Sequence, residues 1–311
     1  MTENLVHKPV LLQEFLEYAG SEKYTTLWDG TLGAAGHCIE WLDKEPDRIA
    51  YGSDADREML IIAETNLNKH FGKSKRYFLE HGNYSINPHK RSGPFDVILL
   101  DLGISSYHLD RLDRGISYRF DQELDMRLDT HSGKPLYLWL NHATLDEIKK
   151  VIYLYGEEKM APQIARNIVQ FRKKEPIHTT AQLKVICENS YPKKMLIGDS
   201  RHPSVKTFQA FRIFINKELE HLEKALVFLP DMLSPGGRLV IITFHSLEDR
   251  IVKHSFLDHS RILQSDPRAK SNYLPGPFKV ITQKPIIPSQ SELDNNSRSR
   301  SAKMRILEKI K

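Results

Sequence analysis

The chain has 311 residues, of which 40% are hydrophobic and 27% are charged, which predicts one large domain or two ordinary ones and excludes a disordered chain. The longest apolar runs, 97–100 and 239–242, are far shorter than the ~20 residues of a membrane span. Two cysteines exclude a disulfide framework and a four-cysteine zinc site. The first residues lack the basic and apolar stretches of a secretory signal, so we expect a cytoplasmic protein with no membrane partner.

The positive charge is concentrated near the C-terminal end. The net charge is +5, and residues 266–311 hold ten Lys and Arg against four Asp and Glu, so the remaining residues sum to −1. Two interpretations stay open at this point: a solvated end of the chain, or an electrostatic surface for a polyanion.

Short β-like runs alternate with helical patterns over residues 25–100, which is typical of a doubly wound parallel sheet. The fourth run is nearly all apolar, as expected for a strand buried on both faces. The predicted elements are strands at 25–29, 48–53, 76–80 and 95–100, a helix that begins near 34, and a helix over 56–70.

The strand pattern then stops, and region 108–205 has helical periodicity instead. Thr179 and Thr180 precede one of its helical runs and predict an N-cap there. We therefore expect an all-helical insertion within an α/β domain. After it, the predicted elements are an amphipathic helix at 207–228, a turn at Ser234–Gly237, a strand at 238–244, and β-like segments at 278–286 and 302–308 that complete the sheet as an edge hairpin.

The first predicted strand ends in the small-residue turn DGTLGAAGH, residues 29–37. Such a turn lets a ligand approach the backbone and the helix N-terminus. Its spacing lacks the G-x-G-x-x-G of dinucleotide folds and the Gly-Lys-Ser/Thr ending of a phosphate loop. Two interpretations remain: a structural turn, or a site for a nucleoside with an amino-acid tail such as S-adenosylmethionine.

Three side chains follow the next strands at the same predicted edge of the sheet. Asp54 follows the second strand, where a carboxylate can accept both ribose hydroxyls of an adenosine. Tyr84 follows the third strand and can pack on an adenine, and Asp101 ends the fourth. Together with the turn, they favour an adenosine-type cofactor.

Two further polar segments lie at strand ends. Residues 101–129 are dense in charged groups with interleaved apolar ones, which favours a functional loop. The segment FHSLEDR, 244–250, follows the fifth strand. Its His245 and Ser246 either cap the next helix or line a substrate pocket.

Seven motifs in order resemble the bacterial ribosomal RNA small-subunit methyltransferase H family, also called RsmH or MraW. The resemblance covers essentially the whole chain, beginning at HKPVLL (7–12). The motifs are DGTLGAAGH, DLGISSYHLD, RGISYRF-x4-LDMRLD, GEEKMAPQIARNIV, HPSVKTFQAFRIFINKEL, PGGRLVIITFHSLEDRIVK and NSRSRSAKMRILE.

The resemblance implies transfer of a methyl group from S-adenosylmethionine to the N4 of a cytidine in 16S rRNA, near the decoding P site of the small ribosomal subunit. It also implies a Rossmann-like methyltransferase core with a mostly parallel seven-stranded sheet. On this basis, residues 1–107 and 206–311 form the core, and 108–205 form a helical domain for substrate recognition. No metal is expected, and a monomer and a homodimer stay equally open.

The family's cofactor-binding positions fall on Ala35, Gly36, His37, Asp54, Tyr84, Asp101 and His108. Two of these depart from the family pattern, which has a glycine at the position of Ala35 and commonly a glutamine at that of His108. Asp101 is also the candidate catalytic residue, as a hydrogen-bond acceptor for the target amino group. The candidate rRNA-binding residues are Tyr118, Arg119, Arg212, His245, Ser246, Arg298 and Arg300.

Rival functions differ in what they require of the sequence. A methyltransferase of DNA or protein shares the cofactor site, and only the motifs beyond that site argue for rRNA. A non-catalytic RNA-binding or assembly factor would keep the fold without binding the cofactor. An NAD-dependent oxidoreductase is disfavoured by the glycine spacing, and a cytidine deaminase is excluded because its zinc site needs a P-C-x-x-C motif.

Overall fold

The computed structural model describes residues 9–86, 89, 92–104, 107, 114–192, 202–263 and 273–310. The chain divides into two compact units, Met1–Gly103 with Leu219–Lys311, and Ile104–Glu218. The strands of the described part are β1 (Thr26–Asp29), β2 (Ile49–Asp54), β3 (Tyr77–His81), β4 (Phe95–Asp101), β5 (Leu233–Thr243), β6 (Arg261–Leu263), β7 (Tyr273–Pro275), β8 (Phe278–Val280) and β9 (Lys303–Lys309). The helices are α1 (Leu12–Ala19), α2 (Gly36–Leu42), α3 (Arg57–Phe71), α4 (Leu136–Leu140), α5 (Leu145–Gly156), α6 (Ala161–Arg172), α7 (Thr180–Glu188), α8 (Val205–Asn216), α9 (Glu218–Phe228), α10 (Ser246–His259) and α11 (Gln290–Asn295).

The first unit is built on a seven-stranded sheet with the order β3-β2-β1-β4-β5-β9-β8. Strands β1 to β5 are parallel, and β9 runs antiparallel between β5 and β8. The chain leaves β1 toward β3 and then crosses back to place β4 beside β1. Ligands bind at such a switch point, outside the carboxyl ends of the strands. The predicted Rossmann-like, mostly parallel sheet is therefore confirmed.

Alternating residues of the central strands supply apolar cores on both faces of this sheet. In β4, Val97 and Leu99 pack in the core that contains Phe15 of α1, whereas Ile98 and Leu100 pack with Leu226 of α9 on the other face. All four β4 side chains are fully buried. This two-sided burial explains why residues 97–100 of β4 are continuously apolar in the sequence.

Two late predictions differ from the structure. Ser234–Gly237 lies within β5 as an irregularity, because Phe95 pairs with Leu233 while Val97 pairs with Arg238. The last two segments pair antiparallel as predicted, but β9 lies inside the sheet beside β5, and α11 separates it from β8. The prediction of a hairpin was therefore wrong, because the two strands are not joined by a short turn.

In its described residues, the second unit has helices and one isolated β-bridge, between Glu123 and Thr179. Thr179 is the N-cap of α7 and forms a capping box with Gln182, as the sequence predicted. The core of this unit is formed by side chains from every one of its described helices, including Leu136, Ile152, Ile164, Leu183 and Phe211.

The helical insertion is longer than the predicted 108–205. Phe208 and Phe211 of α8 are buried in the core of the helical unit. The Asn216 side chain donates to the Met126 carbonyl and accepts from the Leu128 amide. Because α8 contributes both apolar burial and these hydrogen bonds to the helical unit, the unit extends to Glu218.

The predicted helix at 207–228 is two helices, α8 and α9. Lys217 between them has φ 51°, in the left-handed region. A single residue in this conformation ends the helical hydrogen-bond pattern. The amphipathic periodicity continues across the break, which is why the sequence did not reveal it.

Candidate cofactor site at the carboxyl edge of the sheet

The turn after β1 is held by backbone hydrogen bonds to neighbouring strands. The Gly30 amide donates to the Leu99 carbonyl at 2.9 Å, and the Leu32 amide donates to the Ser53 carbonyl at 3.0 Å. A Cβ on Gly30 would lie 2.6 Å from Leu100 Cδ2, so no side chain fits there. The turn is thereby fixed against the ends of β2 and β4.

The turn enters α2 through a left-handed residue. Ala35 has φ 67° and is fully buried, a conformation that glycine adopts at no steric cost. The position therefore favours a residue without a Cβ, and the alanine here is held in place by the surrounding packing. Gly36 opens α2, and a Cβ there would lie 2.6 Å from Pro9 Cγ.

His37 connects this turn to the N-terminal segment and to β4. Its Nε2 is 3.0 Å from the Val10 carbonyl oxygen, and its Nδ1 is 3.9 Å from Asp101 Oδ2. The ring packs edge-on against Phe15, with centroids 5.3 Å apart. The His37 side chain is buried, so its contacts are with other protein groups. Its backbone lies in the first turn of α2, directly after the small-residue turn.

Asp54, at the end of β2, fastens the same turn. Its Oδ2 accepts from the Gly33 amide and its Oδ1 from the Asp56 amide, both at 2.9 Å. Gly33 has φ +55°, which orients its N–H toward the carboxylate. An ionised carboxylate has about four lone-pair sites, so a carboxylate that fastens this turn can also accept hydrogen bonds from a ligand.

Tyr84 follows β3 in a short 3-10 helix, Tyr84–Ile86. It is partly buried against the apolar core that contains Trp28 and Phe95. Its Cβ lies 3.0 Å from the point that a Cβ on Gly30 would occupy. Tyr84 and the glycine turn are therefore neighbours, as the strand order requires.

Asp101, at the end of β4, is the most perturbed carboxylate of this edge. Its amide donates to Thr31 Oγ1 at 2.6 Å, while its Oδ1 is buried with no hydrogen-bond partner among the described residues. Burial raises the pKa of Asp101 well above its ordinary value, and the charges of Asp29, Glu248 and Glu292 raise it further. Buried, mutually repelling carboxylates make this edge suited to a cationic ligand.

Asp29, at the end of the neighbouring strand β1, is a second carboxylate with a raised pKa. It ends β1, is 1% exposed, and accepts from the Thr31 amide at 3.2 Å. Burial, with a smaller contribution from the charge of Asp54, raises its pKa to about 7 against the lowering effect of the Thr31 hydrogen bond. Asp29 was missed from the sequence as a titrating group because a strand-end aspartate gives no sign of its burial.

The end of β5 brings two further polar side chains, His245 and Glu248, to this edge. His245 is the N-cap of α10 and forms a capping box with Glu248. Glu248 is buried, and its Oε2 accepts from the amides of Phe244 (2.8 Å) and His245 (3.3 Å), while its Oε1 is 3.1 Å from His245 Nε2. Ser246 is the first residue of α10. Of the two interpretations left open for His245, helix capping is the one the structure shows.

Six of the seven predicted cofactor residues thus lie at one edge of one sheet: Ala35, Gly36, His37, Asp54, Tyr84 and Asp101. His108 lies outside the described residues. Glu248 belongs to the segment FHSLEDR, which the sequence already singles out as a helix cap or part of a pocket. Glu292 was missed as a member of this acidic group, because nothing local marks it.

The predicted rRNA-binding residues of the helical unit differ in their availability. Arg119 is exposed. Tyr118 stacks on His202, with ring centroids 4.6 Å apart, and packs against the helical core. Arg212 makes two hydrogen bonds to Glu218, at 2.8 and 2.9 Å, so its charge is already paired within the unit.

The basic residues near the C-terminal end also differ in exposure and in pairing. Arg300 is exposed and Arg298 is half-buried in the 3-10 helix Ser297–Ser301. Arg305 of β9 is 5% exposed and donates from Nε and Nη2 to both carboxylate oxygens of Asp249. The charge excess of this segment therefore includes cations that hold the fold together.

Comparisons with known proteins agree over nearly the whole chain. The family model described as the MraW methylase family matches residues 4–310. "Ribosomal RNA small subunit methyltransferase H" of Lawsonia intracellularis is 40% identical, covering 98% of this chain and 99% of that protein. The protein of the same name from Syntrophus aciditrophicus is 41% identical and covers 98% of both chains.

Among solved structures, the crystal structure of an rRNA methylase from Streptococcus thermophilus matches with a TM-score of 0.41 and 14% identity. That match covers 100% of this chain and 99% of the other. Within the described ranges, no helix is long and apolar enough to cross a membrane.

Proposed function

The chain belongs to the MraW methylase family, and we propose that it transfers a methyl group from S-adenosylmethionine to the exocyclic N4 of a cytidine in 16S rRNA, in the decoding P-site region of the small ribosomal subunit. The names of its relatives state methylation of small-subunit ribosomal RNA, without the base or the position. The observation that carries the proposal is the family match across 4–310. The acidic strand ends at the switch point of the sheet support it.

The residues of this edge fit S-adenosylmethionine by charge. When bound, this cofactor supplies an activated methyl group on a positively charged sulfur. The partnerless Oδ1 of Asp101 and the neighbouring carboxylates of Asp29 and Glu248 favour a cation over an anion. Gly30 and Gly36 let the turn pack closely on Leu100 and Pro9, which fixes its backbone at this edge.

Each predicted binding residue has a distinct role in this proposal. Asp54 accepts the ribose hydroxyls while its other lone pairs hold the turn. Tyr84 packs against the adenine, and the turn through Ala35 and Gly36 lies along the amino-acid tail. Asp101 balances the positive charge.

Asp101 is also the acceptor for the target amino group. The lone pair of cytosine N4 is delocalised into the ring, so the protein must align N4 with the methyl carbon and the sulfur. The transfer breaks the carbon–sulfur bond, forms a carbon–nitrogen bond and leaves an extra proton on N4. An ionised Asp101 accepts a hydrogen bond from N4 before transfer and takes that proton afterwards. Its raised pKa makes it a better proton acceptor than an ordinary carboxylate.

Recognition of rRNA is assigned to exposed cations and to the helical unit 104–218. Arg119 and Arg300 are exposed and free to meet phosphates, with Arg298 beside the latter. A base that is methylated must leave its stack, and flat cationic side chains can hold an unstacked base. Binding that depends on such cations weakens as salt rises.

Methyl transfer to small ribosomal subunits tests the proposal. Subunits from a strain that lacks this gene would be incubated with the protein and labelled S-adenosylmethionine, and the rRNA digested to nucleosides. Labelled N4-methylated cytidine is expected. Label on another base or position would contradict the N4 assignment, and failure of the protein to bind S-adenosylmethionine would refute the methyltransferase function itself.

The role of Asp101 is separated from mere cofactor binding by Asp101→Asn. We expect this variant to bind S-adenosylmethionine more weakly than the parent but S-adenosylhomocysteine almost equally, since the latter lacks the sulfonium charge. We also expect its single-turnover methyl transfer at saturating cofactor to fall at least about 100-fold. Normal transfer at saturation would restrict Asp101 to binding. Asp54→Ala is the matched control and should weaken both ligands alike.

A further inference from the structure

One peptide group near the N-terminus is held from both sides by side chains far away in the sequence. The Val10 carbonyl oxygen lies 3.0 Å from His37 Nε2. The amide of the same peptide, on Leu11, donates to Glu292 Oε1 at 2.9 Å. Glu292 belongs to α11, in the C-terminal basic segment. The peptide therefore connects α2 with α11.

This peptide has a conformation that tertiary contacts must maintain. Leu11 has φ 55° and ψ 33°, in the left-handed region, and is fully buried. This conformation is unfavourable for a leucine, because its Cβ crowds the following carbonyl oxygen. Pro9 beside it packs on Gly36. The Glu292 hydrogen bond and the buried Leu11 side chain hold the segment against α2.

The orientation of the peptide determines which nitrogen of His37 carries its proton. A neutral imidazole has one donor and one acceptor nitrogen. Because a carbonyl oxygen only accepts, the Val10 contact places a proton on Nε2, and the same ring orientation leaves Nδ1 at 3.9 Å from Asp101 Oδ2. A displaced peptide would release this constraint.

From these contacts we infer that Glu292 is a positioning residue for Asp101: it holds the Val10–Leu11 peptide, which holds the His37 imidazole with Nδ1 toward the Asp101 carboxylate. The inference rests on the proposed role of Asp101. It extends that role to a helix in the C-terminal segment of the chain, close to Arg298 and Arg300.

Charge adds a second path from Glu292 to the same carboxylate. The groups that face Asp101 are Asp29 from β1, His37 from α2, Glu248 from α10 and Glu292 from α11. Burial and the Asp29, Glu248 and Glu292 charges each raise the Asp101 pKa. Removing the Glu292 charge therefore lowers the pH at which Asp101 ionises, and with it the pH at which a cation binds well.

Two variants separate the hydrogen bond from the charge. Glu292→Gln keeps an acceptor for the Leu11 amide and loses the charge, whereas Glu292→Ala loses both. Asp294→Asn is the matched control, since Asp294 is exposed on the same helix and accepts a hydrogen bond from Gln290 of that helix. Thermal unfolding of all three confirms that each is folded before the comparison.

The readout is the ¹⁵N shifts of the His37 ring in the free full-length protein, together with S-adenosylmethionine affinity from pH 5 to 9. We expect Glu292→Gln to keep the Nε2–H tautomer and shift the affinity profile to lower pH. We expect Glu292→Ala to mix the two tautomers and to weaken binding about fivefold. If both variants match Asp294→Asn in tautomer and in pH profile, the inference is wrong.

The failure of this inference and the failure of the proposed function remain distinguishable. If the parent protein binds no S-adenosylmethionine, the proposed function fails, and the His37 tautomer still tests whether Glu292 positions that ring. If Glu292→Ala is unfolded at 25 °C, Glu292→Asp takes its place, because it keeps the charge and withdraws the acceptor from the Leu11 amide: an unchanged His37 tautomer in that variant overturns the inference.

Discussion

Asp29→Asn should stabilise the protein at neutral and alkaline pH. Asp29 is 1% exposed, and its carboxylate accepts one hydrogen bond, from the Thr31 amide at 3.2 Å. An asparagine side-chain oxygen can accept the same bond. The substitution therefore removes the buried charge while it keeps the turn after β1.

The size of the effect follows from the pKa of Asp29. Burial raises it from 3.8 to about 7 in the folded protein, so ionisation costs up to about 4 kcal/mol more there than in the unfolded chain. Below pH 4 both states are protonated and the charge costs nothing. Between pH 4 and pH 7 only the unfolded chain ionises, so the parent loses stability as pH rises. Above pH 7 the full cost is present.

Urea unfolding of the cofactor-free protein at half-unit steps from pH 4 to pH 8.5 measures this difference. The free energy of unfolding of Asp29→Asn minus that of the parent should grow from near zero at pH 4 to a plateau of up to about 4 kcal/mol above pH 7. Glu64→Gln, which removes an exposed carboxylate from α3, is the control and should show no such growth. A difference that is flat with pH, or that favours the parent at pH 8, would refute the reasoning.

Four further substitutions test the packing and charge assignments. Gly30→Ala should lower the free energy of unfolding by about 1–3 kcal/mol and weaken cofactor binding in titration calorimetry, because its Cβ would lie 2.6 Å from Leu100 Cδ2 and 3.0 Å from Tyr84 Cβ; an unchanged affinity would contradict this. Arg48→Met should cost at least about 3 kcal/mol in urea unfolding, since the fully buried guanidinium donates to four backbone carbonyls. Arg300→Ala should weaken rRNA binding and lower its salt slope by about one, whereas Arg212→Ala, which breaks the pair with Glu218, should chiefly lower the melting temperature; the reverse pattern would exchange their roles.

Local signals determined most of the elements near the cofactor site. Strands at 26–29, 49–54, 77–81 and 95–101 lie within a residue or two of the predicted ones, because apolar runs between polar strand ends mark buried parallel strands. The order of those strands along the chain, together with short connections, was enough to place Asp54, Tyr84 and Asp101 at one edge. The small-residue turn was equally visible, because only small residues allow its backbone path.

Tertiary structure decided the burial and the pKa values of the side chains at this edge. Asp29 and Asp101 look like ordinary strand-end acids in the sequence, and their raised pKa values come from burial and from carboxylates that other elements bring near. Glu292 follows Leu11 by 281 positions, and no local pattern encodes a contact between them. Tertiary structure also decides which arginines are available: Arg300 is exposed, whereas Arg305 is buried and paired with Asp249.

The sequence by itself thus determined the fold class, the family and the edge of the sheet where the chemistry belongs. These follow from local periodicity and from motifs that are contiguous in the chain. Which charges are buried, which cations are already paired, and where the helical unit ends depended on long-range packing, because burial and pairing are properties of neighbours that only the folded chain brings together.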